Sequence, residues 1–280
     1  MNTKKIKTES DLRLYLTRKW WDCLVIDDVF VLTETLEVKR DVRLVCSKYG
    51  MLLNHISTKN IEEGVLIKVE ADYFAMERFD SIANTAQMHT FLKLQRCKVA
   101  EITSKCAIEG NQYAGIWAFD CDKTIISDCT IIGDGTIGNN YAVWQGGKGD
   151  AEGQVLTMQG CTIKEAKHAI GAHYGKNSYY AIGNTISTLK HSFDRHNSND
   201  GTKRGGMHHV ISGNTFLDPD RLAFSIATPY EGGSLVFTGN TLNHARERHI
   251  GEVESVSGNY RMYEGDMRMG MIIHGNKFVG

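Results

Sequence analysis

The chain is 280 residues long, 41% hydrophobic and 23% charged, with a formal net charge of −1. That balance excludes a disordered chain and a protein built mainly to neutralise phosphates, so nucleic acid is not an expected partner. No run of about 18 apolar residues occurs, which excludes a membrane-spanning helix, and Met1-Asn2-Thr3-Lys4-Lys5 lacks the apolar stretch and cleavage site of a signal peptide.

The seven cysteines are an odd number with no CxxC pair. They read as free thiols of a reducing compartment. Synthesis in the cytosol is expected, and a phage virion assembled there fits equally well. Two prolines and 28 glycines suit an all-β chain with few interrupted ladders and many tight corners.

In chain order, Thr8-Glu9-Ser10-Asp11 has the form of a capping box. Leu12, Leu16 and Trp20 follow on one helical face, so residues 1–24 read as a capping segment with a short amphipathic helix. Its place would be over the first coil of a solenoid, hiding an open sheet edge. Residues 29–38 and 41–45 alternate as strands. Residues 50–95 are less regular and receive no coil assignment.

From residue 96 onward one short phrase recurs. It reads Ser127-Asp128-Cys129-Thr130-Ile131, Gln159-Gly160-Cys161-Thr162-Ile163 and Ile182-Gly183-Asn184-Thr185-Ile186. It continues as Ser212-Gly213-Asn214-Thr215-Phe216, Thr238-Gly239-Asn240-Thr241-Leu242 and His274-Gly275-Asn276-Lys277-Phe278. Ser104-Lys105-Cys106-Ala107-Ile108 is a weaker first copy and Ser257-Gly258-Asn259-Tyr260 a shortened one. The apolar anchors from Ile131 to Leu242 are about 23 to 32 residues apart, the length of one solenoid coil with variable loops. Each phrase follows an alternating strand, which puts the Asn or Cys at a corner. There asparagine can satisfy turn backbone and stack on the next asparagine, and Cys106, Cys129 and Cys161 serve as small buried fillers. Residues 25–280 therefore read as one domain. The chain stops just after a corner phrase with no evident cap, so the last coil is expected to lie against a subunit neighbour or a further portion of chain.

This pattern of strand, Gly-Asn-Thr-apolar corner and second strand resembles the repeat of the pectin-lyase-like superfamily. That superfamily includes polysaccharide lyases, polygalacturonases and phage tailspikes. The resemblance implies a right-handed parallel β-helix, with a polysaccharide or other polymeric ligand along one side face and, for the tailspike type, a homotrimer. It is specific for fold and leaves activity open.

Aligning the second strand of each coil on its inward apolar residue gives the column Ile116, Val143, Ile170, Phe193, Phe224, Ile250. Alternation then sends Trp117, Trp144, Gly171, Asp194, Ser225 and Gly251 outward. Beside them would lie Phe119, Gly146, His173, His196, Ala227 and Val253, and on the other side Tyr141, His168, His191 and Leu222. His168-Ala-Ile-Gly-Ala-His173 and His191-Ser-Phe-Asp-Arg-His196 thus place four histidines and one carboxylate on a patch about two coils high. The polar loop 197–206 supplies Lys203 and Arg204. The stretch around His191, with the later Ala227-Thr228-Pro229, is also similar to one in bacterial β-helix repeat proteins that carry Arg-Gly-Thr-Pro there.

Elimination on an acidic polysaccharide is the expected chemistry, because it needs a base for the proton alpha to the carboxylate and cations for the developing charge. His173, His191, Asp194 and His196 are the acid–base candidates, with Lys203 and Arg204 neutralising the acid group. Trp117, Tyr141, Trp144, His168, Tyr174 and Arg195 are the candidate substrate contacts, although alternation turns Arg195 inward unless a bulge intervenes. Tyr141 or Tyr174 would protonate the leaving oxygen. No compact acid cluster supports a two-carboxylate hydrolase or calcium dependence. No cofactor is required. A divalent metal on His173, His191, Asp194 and His196 is the alternative that would suit a phosphodiesterase. A non-catalytic glycan-binding or particle-assembly module is the remaining one.

Overall fold

The computed structural model describes residues 1–47, 51–54, 64–82, 90–111, 113–138, 140–146, 153–173, 175–196, 204–218, 221–243, 249–255, 257–268 and 270–279. Successive coils stack their strands into three long, mostly parallel sheets, and the chain is a parallel β-helix. Among the described residues one sheet has twelve strands, one ten and one eight, with a further two-stranded pair, Val29–Leu32 and Met51–Asn54. A representative coil runs Lys123–Ser127, Thr130–Gly133, Tyr141–Gly146, and the next begins at Val155–Gln159. Strands from successive coils pair in parallel and in register, as in Ile126 beside Met158 and Ile131 beside Ile163.

The repeated phrase turns the chain from the twelve-stranded sheet into the eight-stranded one. Its second-to-third step needs a left-handed residue, and Lys105, Asp128, Gly160, Gly183, Gly213, Gly239 and Gly275 all have φ between 53° and 72°. Glycine adopts that conformation without a steric penalty, and aspartate tolerates it better than most. The next residue points into the core. Cys106, Cys129 and Cys161 are buried there, followed in the same column by Asn184, Asn214 and Asn240. The asparagines form a ladder. Asn184 donates from its backbone N and from Nδ2 to Asn214 Oδ1 at 2.9 and 2.8 Å, and Asn214 repeats this toward Asn240.

Inside the sheets, columns of Ile, Val, Leu, Met and Phe form one continuous core. Burying each such side chain contributes about 1.5–3 kcal/mol relative to exposure. The ten-stranded sheet reproduces the expected column Ile116, Val143, Ile170, Phe193 and Phe224, but Phe224 pairs with Gly251 rather than Ile250. Ile250 aligns instead with Ala223, whose N donates to Ile250 O at 2.8 Å. Large and small residues have exchanged places in that coil. A Cβ on Gly251 would lie 2.5 Å from the Phe224 ring, so the ring occupies the room that the side chain would need. Glu252, not Gly251, then follows Ser225, and Glu254, not Val253, follows Ala227.

Two further expectations change. Ser257-Gly258-Asn259-Tyr260 is not a coil corner: Gly258–Tyr263 is an antiparallel strand on His249–Ser255. With Met267–Arg268 on Met271–His274, it places antiparallel strands at the margins of two sheets. At the other end, Thr8 caps the helix Glu9–Leu16 by accepting from Asp11 N at 3.1 Å, and Leu12 and Leu16 are buried as expected. Trp20 lies beyond the helix and is exposed. The first strand of the twelve-stranded sheet, Thr3–Ile6, precedes that helix and pairs with Cys23–Ile26. Residues 50–95 contribute Val65–Val69, Tyr73–Glu77, Asp80–Ile82 and Thr90–Gln95 to the three sheets. No helix among the described residues is long and apolar enough to cross a membrane.

Candidate functional site

The outward side of the ten-stranded sheet carries the histidine patch. Trp117, Trp144, Gly171, Asp194 and Ser225 follow one another in register across five coils. Strict alternation would turn the residue three positions before each of these inward. It does not, because two consecutive residues face the core just after it: Ala142 with Val143, Ala169 with Ile170, and Ser192 with Phe193. The first of each pair is small, which leaves room for both. This break returns Tyr141, His168 and His191 to the outward side, three residues from Trp144, Gly171 and Asp194.

Two ring ladders result. Tyr141 stacks on His168 at 5.3 Å between ring centroids, and His168 on His191 at 4.4 Å. Trp144 meets His173 at 4.6 Å, and His173 meets His196 at 4.1 Å. Asp194 sits between the ladders. Its Oδ2 is 3.0 Å from His196 Nε2 and 3.5 Å from His168 Nε2, and its Oδ1 is 3.2 Å from His191 Nε2. His191 Nε2 is off the direction of a hydrogen bond despite that distance. His168 Nδ1 is 2.6 Å from the His191 carbonyl oxygen.

Exposure separates the roles. The side chain of His196 is 48% exposed, against 11% for Asp194 and 1% for His168. Only His196 among these three can meet a ligand from solvent. Burial pushes the His168 and His173 imidazoles down to about 4, so both rings are neutral near pH 7. Burial would raise the Asp194 carboxyl, but the imidazoles of His191 and His196 set against it hold it well below the usual carboxylate range. Burial also pushes the Tyr141 phenol up to about 12.

The structure brings together His168, His173, His191, Asp194 and His196, with Tyr141 and Trp144 at their edge. Trp144 and Tyr141 are buried, against each other at 4.4 Å and against Tyr113. The partners that an outward Trp requires are therefore other rings of the protein, with Lys93 Nζ 4.4 Å from the Trp117 ring. Arg195 is turned inward and buried, its Nη2 donating to Gly175 O at 2.6 Å. The bulge that would expose it is absent at this residue, so it is not on the ligand side. Arg204 bridges to Thr228 and is half-buried. Tyr174, Lys203 and loop residues 197–202 lie outside the described residues.

Among the described residues, the donor atoms suited to a metal are those of His168, His191 and Asp194, all within 4.8 Å of one another. His168 thus takes the place expected of His173, whose ring instead packs on His196.

Sequence reasoning passed over a pair of cations. Lys167 and Lys190 precede His168 and His191, and Lys190 N donates to Lys167 O between the coils. Lys167 Nζ lies 5.6 Å from the Tyr141 ring centroid, and Lys190 is exposed. The repeated Lys-His dipeptide was the available signal. Compared with known proteins, the chain matches no family model and no curated sequence.

Proposed function

We propose that the protein is a carbohydrate-active β-helix of the pectin-lyase-like type that cleaves an acidic polysaccharide by elimination. The observation that carries this reading is the exposed His196 imidazole held with Nε2 3.0 Å from the buried Asp194 carboxylate. A carboxylate there keeps the proton on Nε2 and leaves the Nδ1 lone pair as the base, the arrangement used to orient a catalytic imidazole. The base takes the proton alpha to a uronate carboxyl, and the electron pair expels the glycosidic oxygen, which takes up a proton from solvent as it leaves. Lys167 and Lys190, flanking the histidine ladder, supply positive charge for the acid groups of the polymer. A side face continuous over many coils suits a polymer rather than a small molecule.

The experiment is a panel of acidic polysaccharides followed by the ultraviolet absorbance of unsaturated uronate ends. Expected is absorbance that grows with the native protein and is lost in His196→Ala, with an unchanged thermal transition. Chain shortening without unsaturated ends would overturn elimination in favour of hydrolysis, and an uncut panel would overturn the catalytic reading.

A further inference from the structure

We propose that His168, His191 and Asp194 form a binding site for one divalent first-row transition-metal ion, on the outward side of two adjacent coils. The inference concerns what the site holds and does not depend on which polymer, if any, is cleaved.

The first support is donor spacing. His168 Nε2 and His191 Nε2 stand 3.5 and 3.2 Å from the two carboxylate oxygens of Asp194. Donors bound to one ion at about 2.0–2.2 Å in a tetrahedral site are separated by roughly 3.3–3.6 Å. Each imidazole is at that spacing from one carboxylate oxygen, and the three donor atoms lie within 4.8 Å of one another.

The second support is the protonation pattern forced by hydrogen bonding. A carbonyl oxygen only accepts, so the 2.6 Å contact between His168 Nδ1 and His191 O places a proton on Nδ1. The neutral ring then presents a lone pair at Nε2, and that lone pair faces Asp194 Oδ2, which is also an acceptor. Two acceptors at 3.5 Å, on side chains 1% and 11% exposed, repel unless a positive charge lies between them. An imidazole whose Nδ1–H is held by a backbone carbonyl, with Nε2 turned to a carboxylate, is how metal-bound histidines are oriented.

The third support is His191. Its Nε2 is buried without a hydrogen-bond partner although a carboxylate oxygen is 3.2 Å away. His196 is not one of these donors: its Nε2 is 3.0 Å from Oδ2 and keeps its proton there, which leaves the fourth position to a ligand from solvent. Imidazole nitrogens with one carboxylate form a borderline donor set. It favours Zn²⁺, Co²⁺ or Ni²⁺ over Ca²⁺ and Mg²⁺, which prefer all-oxygen ligands. A proton shared between His168 and Asp194 is the competing occupant.

The test is equilibrium dialysis of chelator-treated, full-length protein against Zn²⁺ alone, with Co²⁺ as a spectroscopic probe. Expected are one zinc retained per chain, a thermal midpoint raised by Zn²⁺ but not by Ca²⁺ or Mg²⁺, and visible d–d absorption on adding Co²⁺. His191→Gln and Asp194→Asn should each weaken zinc binding by more than about 100-fold, beyond the loss typical of an outer-shell partner. His274→Ala, a change at an exposed histidine, should leave it intact. Should either site variant fail to fold, the other and the cobalt spectrum of the native protein still decide. Absence of retained zinc, or retention unchanged in both site variants, would overturn the proposal and leave the shared proton as the occupant.

Discussion

Gly171 shows how one residue sets the site. It stands between Trp144 and Asp194 in the outward column, where a Cβ would lie 2.4 Å from the Tyr141 ring and 2.7 Å from Trp144. The absence of a side chain lets both rings close over the strand beside His168. Gly171→Ala is expected to destabilise the fold by about 1–3 kcal/mol through overpacking and to separate the two rings. A lowered urea midpoint with altered tryptophan fluorescence would record this, and unchanged values for both would contradict it. The residues of the patch were legible from spacing alone, because His173, Asp194 and His196 obey alternation. The burial of Tyr141 and Trp144 was not, since it depends on Tyr113 and on rings from neighbouring coils.

At the scale of the element, the corner column joins one coil to the next. Removing the Asn214 side chain would leave the Asn184 backbone N and Nδ2 without their acceptor and would remove the donation from Asn214 to Ala181 O at 2.9 Å. Each unsatisfied buried polar group costs about 1–3 kcal/mol. Asn214→Ala is therefore expected to lower the denaturation midpoint more than Cys161→Ala, which removes a weak thiol donor from the same column. Equal losses in the two variants would show that the ladder stabilises no more than the space it fills. The corners could be placed from the recurring Gly-Asn-Thr phrase because the left-handed residue and the inward asparagine are both local demands. The hairpin of His249–Ser255 and Gly258–Tyr263 was misplaced for the converse reason. Ser257-Gly258-Asn259 carries the same local signals, and only its pairing with His249–Ser255 makes it a reversal rather than a corner.

At the scale of the whole molecule, buried imidazoles make stability depend on pH. Burial pushes His209 down to about 3 and His168 to about 4. An imidazole in the unfolded chain titrates near 6.5. Below that value the unfolded state takes up protons that the folded state refuses, so unfolding is favoured. This part of the stability is fully present above about pH 6.5 and is lost as the pH falls toward 4 and then 3. Each group contributes about 1.4 kcal/mol per pH unit through that window. Asp194, held below its usual range, adds a loss of the same sign at lower pH. Urea midpoints should therefore fall steadily from pH 7 to pH 5, with a shallower slope in His209→Gln; a flat profile would contradict the burial of both imidazoles in the native state.

The repeat phrase, its spacing and the alternation of each strand were enough to establish a stack of coils, the identity of its corners and the outward column that contains Asp194. These follow from backbone conformation and side-chain period, which act within a few residues and recur every coil. The outward side of His168 and His191 could be read by aligning the coils, but how the backbone achieves it required the fold in three dimensions. Their position depends on two adjacent residues both turning inward, and whether that is tolerated depends on the volume left by the coils above and below. The exchange of bulk between Ile250 and Gly251 and the inward burial of Arg195 have the same origin. Packing between coils is a long-range property, and a single strand read by itself carries no record of the space its neighbours leave.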